Sequence, residues 1–136
     1  MSRMVISLAS GSFEKLVVAS TVSSGGVALE MDVDLYLLLG GAYAFRKDVA
    51  GAGTYVDRPD LKDEMLAGMK AGAVPDPIEN LRSLKESGKL TIHCCQAAGK
   101  IWGAGALEDF VDVVDDIVGI ARYITDCEKA DVVQVL

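Results

Sequence analysis

Apolar and polar positions along the chain fall into alternating short runs and longer periodic stretches. Met4 to Ala9 is an apolar run closed by Ser10-Gly11-Ser12, which predicts a strand buried on both faces and then a tight turn. Ser12 stands where an N-cap belongs, Glu14 suits the first turn, and Leu16, Ala19, Ser23, Gly26 and Leu29 recur at helical spacing. The spacing predicts a helix to about Leu29, with Gly25-Gly26 as the competing C-cap, because each glycine costs roughly 1 kcal/mol in a helix interior. From Met31 to Leu39 the run alternates and then becomes wholly apolar, predicting a central strand closed by Gly40-Gly41. Val49 to Asp60 has no clear period and reads as a loop and a lid candidate near the strand ends.

Beyond that loop, Leu61, Met65 or Leu66, and Met69 share one helical face behind Asp60 as cap. Asp76 and Pro77 open a further helix, in which Ile78, Leu81 and Leu84 or Lys85 face inward until Gly88. Leu90 to Cys95 is then a buried strand, and Gln96, Ala97 and Ala98 can start a helix at its end. The remainder predicts a turn at Leu107–Phe110, a brief strand around Val111–Val114, a helix from about Asp116 to Lys129, and a last strand Val132–Leu136. The alternation of strands and helices predicts an α/β fold whose parallel sheet is covered on both faces.

Length changes this picture little: 136 residues suit one domain, here 1–136. Composition adds more. Hydrophobic residues make up 51% of so short a chain, which points to subunit interfaces that hide apolar surface. The aromatics Tyr36, Tyr43, Phe45 and Trp102 at predicted strand ends would serve such interfaces, or would complete the monomer core. A net charge of −7 disfavours nucleic acid as a partner. No stretch reaches the roughly 20 apolar residues of a membrane span, so no stable membrane insertion is expected. The amino terminus lacks the pattern of a secretory signal, and three cysteines are too few for a disulfide scaffold, so a cytoplasmic address with free thiols is expected.

The chemistry concentrates in Leu90–Gly103. Cys94 and Cys95 close a strand, where strand ends and helix amino termini form crevices in open α/β sheets. Backbone N–H groups of the following helix, with Lys100 nearby, would favour thiolate over thiol there. Strand alternation places Cys95 and His93 on one face and turns Cys94 to the other, as core filling. Cys127, in a terminal helix, reads as structural. His93, the only histidine, reads as a neutral imidazole hydrogen-bonded within the sheet rather than as a general base. His93-Cys94-Cys95 lacks the ligand spacing of a metal site, and no metal is assigned. Ser10-Gly11-Ser12 either binds an anion at the helix start or is a plain strand-to-helix turn. Trp102 either walls the cysteine crevice or is buried at a subunit contact.

Several of these segments resemble the DsrE/DsrF-like sulfur-relay family, in the branch often labelled predicted peroxiredoxins. The residues that carry the resemblance are Phe13-Glu14-Lys15-Leu16, Asp32-Val33-Asp34-Leu35-Tyr36 with Gly41, Ala44-Phe45-Arg46-Lys47, Leu90-Thr91-Ile92-His93-Cys94-Cys95 with Gly103, and Val118-Gly119-Ile120-Ala121 with Tyr123. The chain departs from the family pattern in its second cysteine, Cys94, and in having Tyr36 with leucines where an aromatic cluster is common. The resemblance implies a three-layer α/β/α fold with a five-stranded, mainly parallel sheet of Rossmann- or flavodoxin-like topology. It implies a sulfurtransferase or persulfide carrier with Cys95 as the reactive residue, and no cofactor. Its partners would be sulfur-donor and sulfur-acceptor proteins or small persulfides, and its assembly a homo-oligomer, trimer or hexamer. Ser10, Gly11, Ser12, Gly41, Lys100 and Trp102 would then be substrate-binding candidates, with His93 and Cys94 in support. The competing expectation is a non-catalytic small-ligand or protein-binding module of the same fold.

Overall fold

The first apolar run forms β1 (Arg3–Leu8), and Ser12 caps the helix after it, its hydroxyl accepting from the Lys15 N–H at 3.3 Å. That helix, α1 (Phe13–Ala28), runs straight through Gly25-Gly26. Gly26 is required by packing, because a Cβ there would lie 2.7 Å from a Val33 methyl. In this computed structural model, which describes residues 2–50 and 55–136, there follow β2 (Asp32–Leu37), α2 (Leu39–Ala44), α3 (Lys47–Ala50), α4 (Lys62–Ala71) and α5 (Pro77–Leu84). The chain ends with β3 (Leu90–Cys95), α6 (Gln96–Ile101), β4 (Asp116–Val118), α7 (Ile120–Lys129) and β5 (Val132–Val135).

The five strands form one parallel sheet in the order β4-β3-β2-β1-β5. Three connections step across the sheet in one direction and the last returns to the other side of β1. Right-handed crossovers therefore put α1 and α5 on one face and α7 on the opposite one. Met4, Ile6, Leu8, Val33, Leu35, Leu37, Leu90, Ile92 and Cys94 alternate onto the α1/α5 face and make most of the core. The α7 face is more polar, carrying Arg3, Ser7, Asp34, Tyr36, Thr91, His93 and Asp116. No helix among the described residues is long and apolar enough to cross a membrane.

Several local expectations change. Gly40 and Gly41 lie inside α2 rather than in an open turn, because a Cβ on Gly41 would overlap the Leu8 carbonyl where α2 presses on the end of β1. Asp60 pairs with Arg58 at 2.7 Å inside a 3-10 turn (Pro59–Leu61) and caps nothing, while α4 buries none of its residues. No strand forms at 111–114. Val113 and Val114 are buried in a turn, and pairing begins at Asp116, after the Asp115 carboxylate has accepted the Ile92 N–H at 2.7 Å. The last helix accordingly starts at Ile120. Of the lid candidate, 51–54 lie outside the described residues. Tyr55 is tied to Phe13 through its carbonyl and to Ser10 through its hydroxyl, and Glu14 accepts the N–H groups of Asp57 and Arg58.

Candidate functional site

Extended geometry holds to the last residue of β3, with Cys95 at φ −69° and ψ 127° where it precedes α6. The two thiols therefore part. Cys94 is 0% exposed in the core, and burial pushes its thiol pKa up to about 12, which leaves it protonated at neutral pH. Cys95 is 8% exposed, at the carboxyl edge of the sheet beside Val118 of β4 and on the face that carries His93. Cys127 is half-buried on α7, away from the strand ends.

Below Cys95 on that face lies a charge network whose members come from five elements. His93 is 1% exposed; its Nε2 meets an Asp34 oxygen at 2.8 Å and its Nδ1 meets Asp116 at 2.6 Å. Burial alone would lower the imidazole pKa, but the hydrogen bonds to Asp34 and Asp116 outweigh it and hold the value above normal. Both ring nitrogens face carboxylates, and since a neutral ring donates from only one nitrogen, this setting favours the charged imidazole over the neutral one expected from the sequence. Burial works against the Asp34 carboxylate too, yet hydrogen bonds from His93 and Arg3 keep its pKa below normal. Arg3 donates from Nε to Asp34 at 3.0 Å and pairs through Nη2 with Asp126 of α7 at 3.0 Å. Tyr36 stacks on His93 with ring centroids 4.5 Å apart and donates its hydroxyl to Asp126; burial and that carboxylate hold its phenol protonated.

Oxygens of Asp34 and Asp126 and a nitrogen of His93 lie within 4.8 Å of one another, a spacing that would suit a metal ion. Here Arg3 already bridges the two carboxylates and both imidazole nitrogens are committed, so the set is internally neutralised. Sequence reasoning did not single out Asp34, Asp116, Asp126, Arg3 or Arg122. The available signal was Asp34 itself, an acid inside a strand otherwise marked for burial.

The remaining candidates scatter. Ser10 accepts from the Ser12 N–H at 3.1 Å and meets the Tyr55 hydroxyl at 3.1 Å, while Ser12 caps α1, so the turn satisfies its own polar groups. Gly11 packs against the Gly40 carbonyl and Gly41 against that of Leu8, both closing the strand ends over β1. Lys100 is exposed in the last turn of α6 and forms no ion pair among the described residues. The Trp102 indole N–H donates to the Leu39 carbonyl at 2.8 Å and its ring lies 4.9 Å from that of Tyr43, fastening α6 to α2. Of the four aromatics, Tyr36 and Phe45 complete the monomer core, and Tyr43 and Trp102 stay partly exposed. Cavities of about 260, 230 and 360 Å³ open elsewhere, and Cys95 lines none of these three.

Two solved structures resemble the chain over essentially its whole length. The ychN protein from E. coli aligns with a TM-score of 0.63 at 16% identity, covering 100% of both chains. Protein MTH1491 from Methanobacterium thermoautotrophicum, described as of unknown function, aligns with a TM-score of 0.57 at 11% identity, covering 98% of this chain and 99% of its own. Both have the DsrE/DsrF-like fold, and at such identities the likeness is one of fold: a five-stranded parallel sheet between helical layers. No family model matches the sequence, and no curated protein does.

Proposed function

We propose that this protein carries sulfane sulfur as a persulfide on Cys95. The observation that supports this most is the divergence of two neighbouring thiols, Cys94 fully buried with its proton held and Cys95, 8% exposed, at the carboxyl end of β3 on the other face of the sheet. A Cys95 thiolate attacks the outer sulfur of a donor R–S–SH, forming Cys95–S–SH and releasing R–S⁻. An acceptor thiolate R′–S⁻ then takes the outer sulfur as R′–S–SH and returns the Cys95 thiolate. The charges balance at each step, and no external oxidant or reductant enters. The donor and acceptor in this reading are other proteins or small persulfides that reach the 8% exposed thiol from the carboxyl end of β3. In this reading the chain acts in the cytoplasm as a homo-oligomer, a trimer or a pair of trimers.

The test is intact mass after incubation with a small persulfide. The expected result is one added sulfur in the native chain, in Cys94→Ser and in Cys127→Ser, with none in Cys95→Ser. Loading that vanishes only in Cys94→Ser or only in Cys127→Ser would overturn the assignment. Absence of loading in every chain would favour the binding-module reading.

A further inference from the structure

On the α7 face, from the amino-terminal ends of β1, β2 and β3 up to His93, two residues before Cys95, an open cleft of about 360 Å³ is lined chiefly by charged side chains. We propose that this cleft is a binding site for a small acidic amino acid, a molecule with one ammonium and two carboxylate groups.

The floor and the rim differ in kind. The floor is Asp34, His93 and Arg3, each held by at least one partner at 2.6 to 3.0 Å, so these groups are fixed before any ligand arrives. Such a floor offers a preorganised polar surface at little ordering cost. The rim is Lys89, Arg122 and Asp32. Lys89 and Asp32 make no ion pair among the described residues, and Arg122 spends only its Nε on Asp126, at 3.3 Å. Its guanidinium fork is left able to grip a carboxylate with two N–H groups. Lys89 and Arg122 can meet two carboxylates, and Asp32, with the 42% exposed carboxylate of Asp116, can meet one ammonium. The partly exposed Thr91 hydroxyl lies in the same lining.

The orientation of α7 is an independent observation. Its one buried residue is the charged Asp126, while Ile120 and Ile124 are 51% and 52% exposed. A helix packed for burial alone would turn the isoleucines inward. Here the helix is docked by Asp126 on Arg3 and Tyr36, which places Arg122 on the cleft. The cleft also has the size of an ordinary small-ligand site, about 300 to 1,000 Å³. The proposal does not depend on Cys95 or on sulfur transfer.

Amide chemical shifts of the full chain, titrated with L-glutamate, glutarate and inorganic sulfate, test it. Glutamate is expected to move the amides of Lys89 to His93 saturably, with half-saturation near or below about 1 mM. Glutarate, which lacks the ammonium, is expected to bind about tenfold more weakly. Lys89→Gln and Arg122→Gln are expected to weaken glutamate by a similar factor, and Asp32→Asn to erase the preference for glutamate over glutarate. The three substituted side chains sit on the rim, and a melting curve checks that each variant folds. No saturation by about 10 mM, equal response to glutarate or sulfate, or insensitivity to the rim substitutions would each overturn the proposal.

Discussion

His93 shows how far a single residue's chemistry is set by partners distant in sequence. Its two carboxylates come from 59 and 23 positions away, so nothing local in Thr-Ile-His-Cys-Cys announces a charged imidazole. The opposite orientations of Cys94 and Cys95, by contrast, were legible, because strand alternation needs only a strand that stays extended to its end. The charge on His93 has a signed consequence. Its folded pKa lies above the unfolded value of about 6.5, so its contribution to stability is complete below that pH and is lost as pH rises through the raised folded value. Asp34 behaves oppositely: its folded pKa is depressed, so its contribution is present above about 3.9 and is lost as pH falls through the folded value. The network is therefore strongest between these limits. A ring-proton titration of His93 is expected to give a midpoint above about 6.5, and a midpoint below it would refute the imidazolium. His93→Gln is expected to cost roughly 1.5 to 3 kcal/mol by removing a charged hydrogen-bond partner from the buried Asp34 carboxylate, which keeps Arg3, and to flatten the alkaline loss of stability in melting curves taken across pH.

At the scale of elements, caps and apolar stripes read well where side chains act on their own helix. Asp76 accepts the N–H groups of Ile78 and Glu79 at 3.1 and 3.2 Å, with Pro77 in the first turn of α5 as expected. Asp76→Ala is expected to lower stability by about 1 kcal/mol, a fall of a few degrees in melting temperature, with Asp76→Asn restoring most of it. An unchanged melt in the alanine variant would mean the cap contributes nothing. Reading failed where tertiary partners decide. The valines near 111–114 look like a strand, but the edge position beside β3 is taken by Asp116–Val118, whose first residue reaches His93. The helix expected to reach about Leu29 does run to Ala28, and the competing glycine pair is explained by Gly26, where α1 comes close to Val33 and Met4.

For the molecule as a whole, the number of strands, their parallel sense and the helices on both faces were legible from the alternation of element types. The strand order was not, since it depends on which edges meet. The outward isoleucines of α7, with Val133 and Val135 of β5, leave apolar side chains on one face. They are part of the exposed apolar surface, which also includes Leu29 and Ile101, and this exposure supports the proposed homo-oligomer. Light scattering at micromolar protein is expected to give three or six times the 14.4 kDa chain mass, and a monomer would refute it. The pairing of β5 with β1 has a temporal consequence. The Arg3 N–H reaches a carboxylate 128 residues later, beside that strand pair, whereas β1, β2 and β3 follow one another across the sheet. Closing so long a loop is entropically the most demanding contact in the fold, so β1 must wait, with one edge unpaired, until Val132–Val135 have been made. During that interval the growing polypeptide presents an open strand edge to its surroundings, and the arrival of α7 and β5 is what seals it.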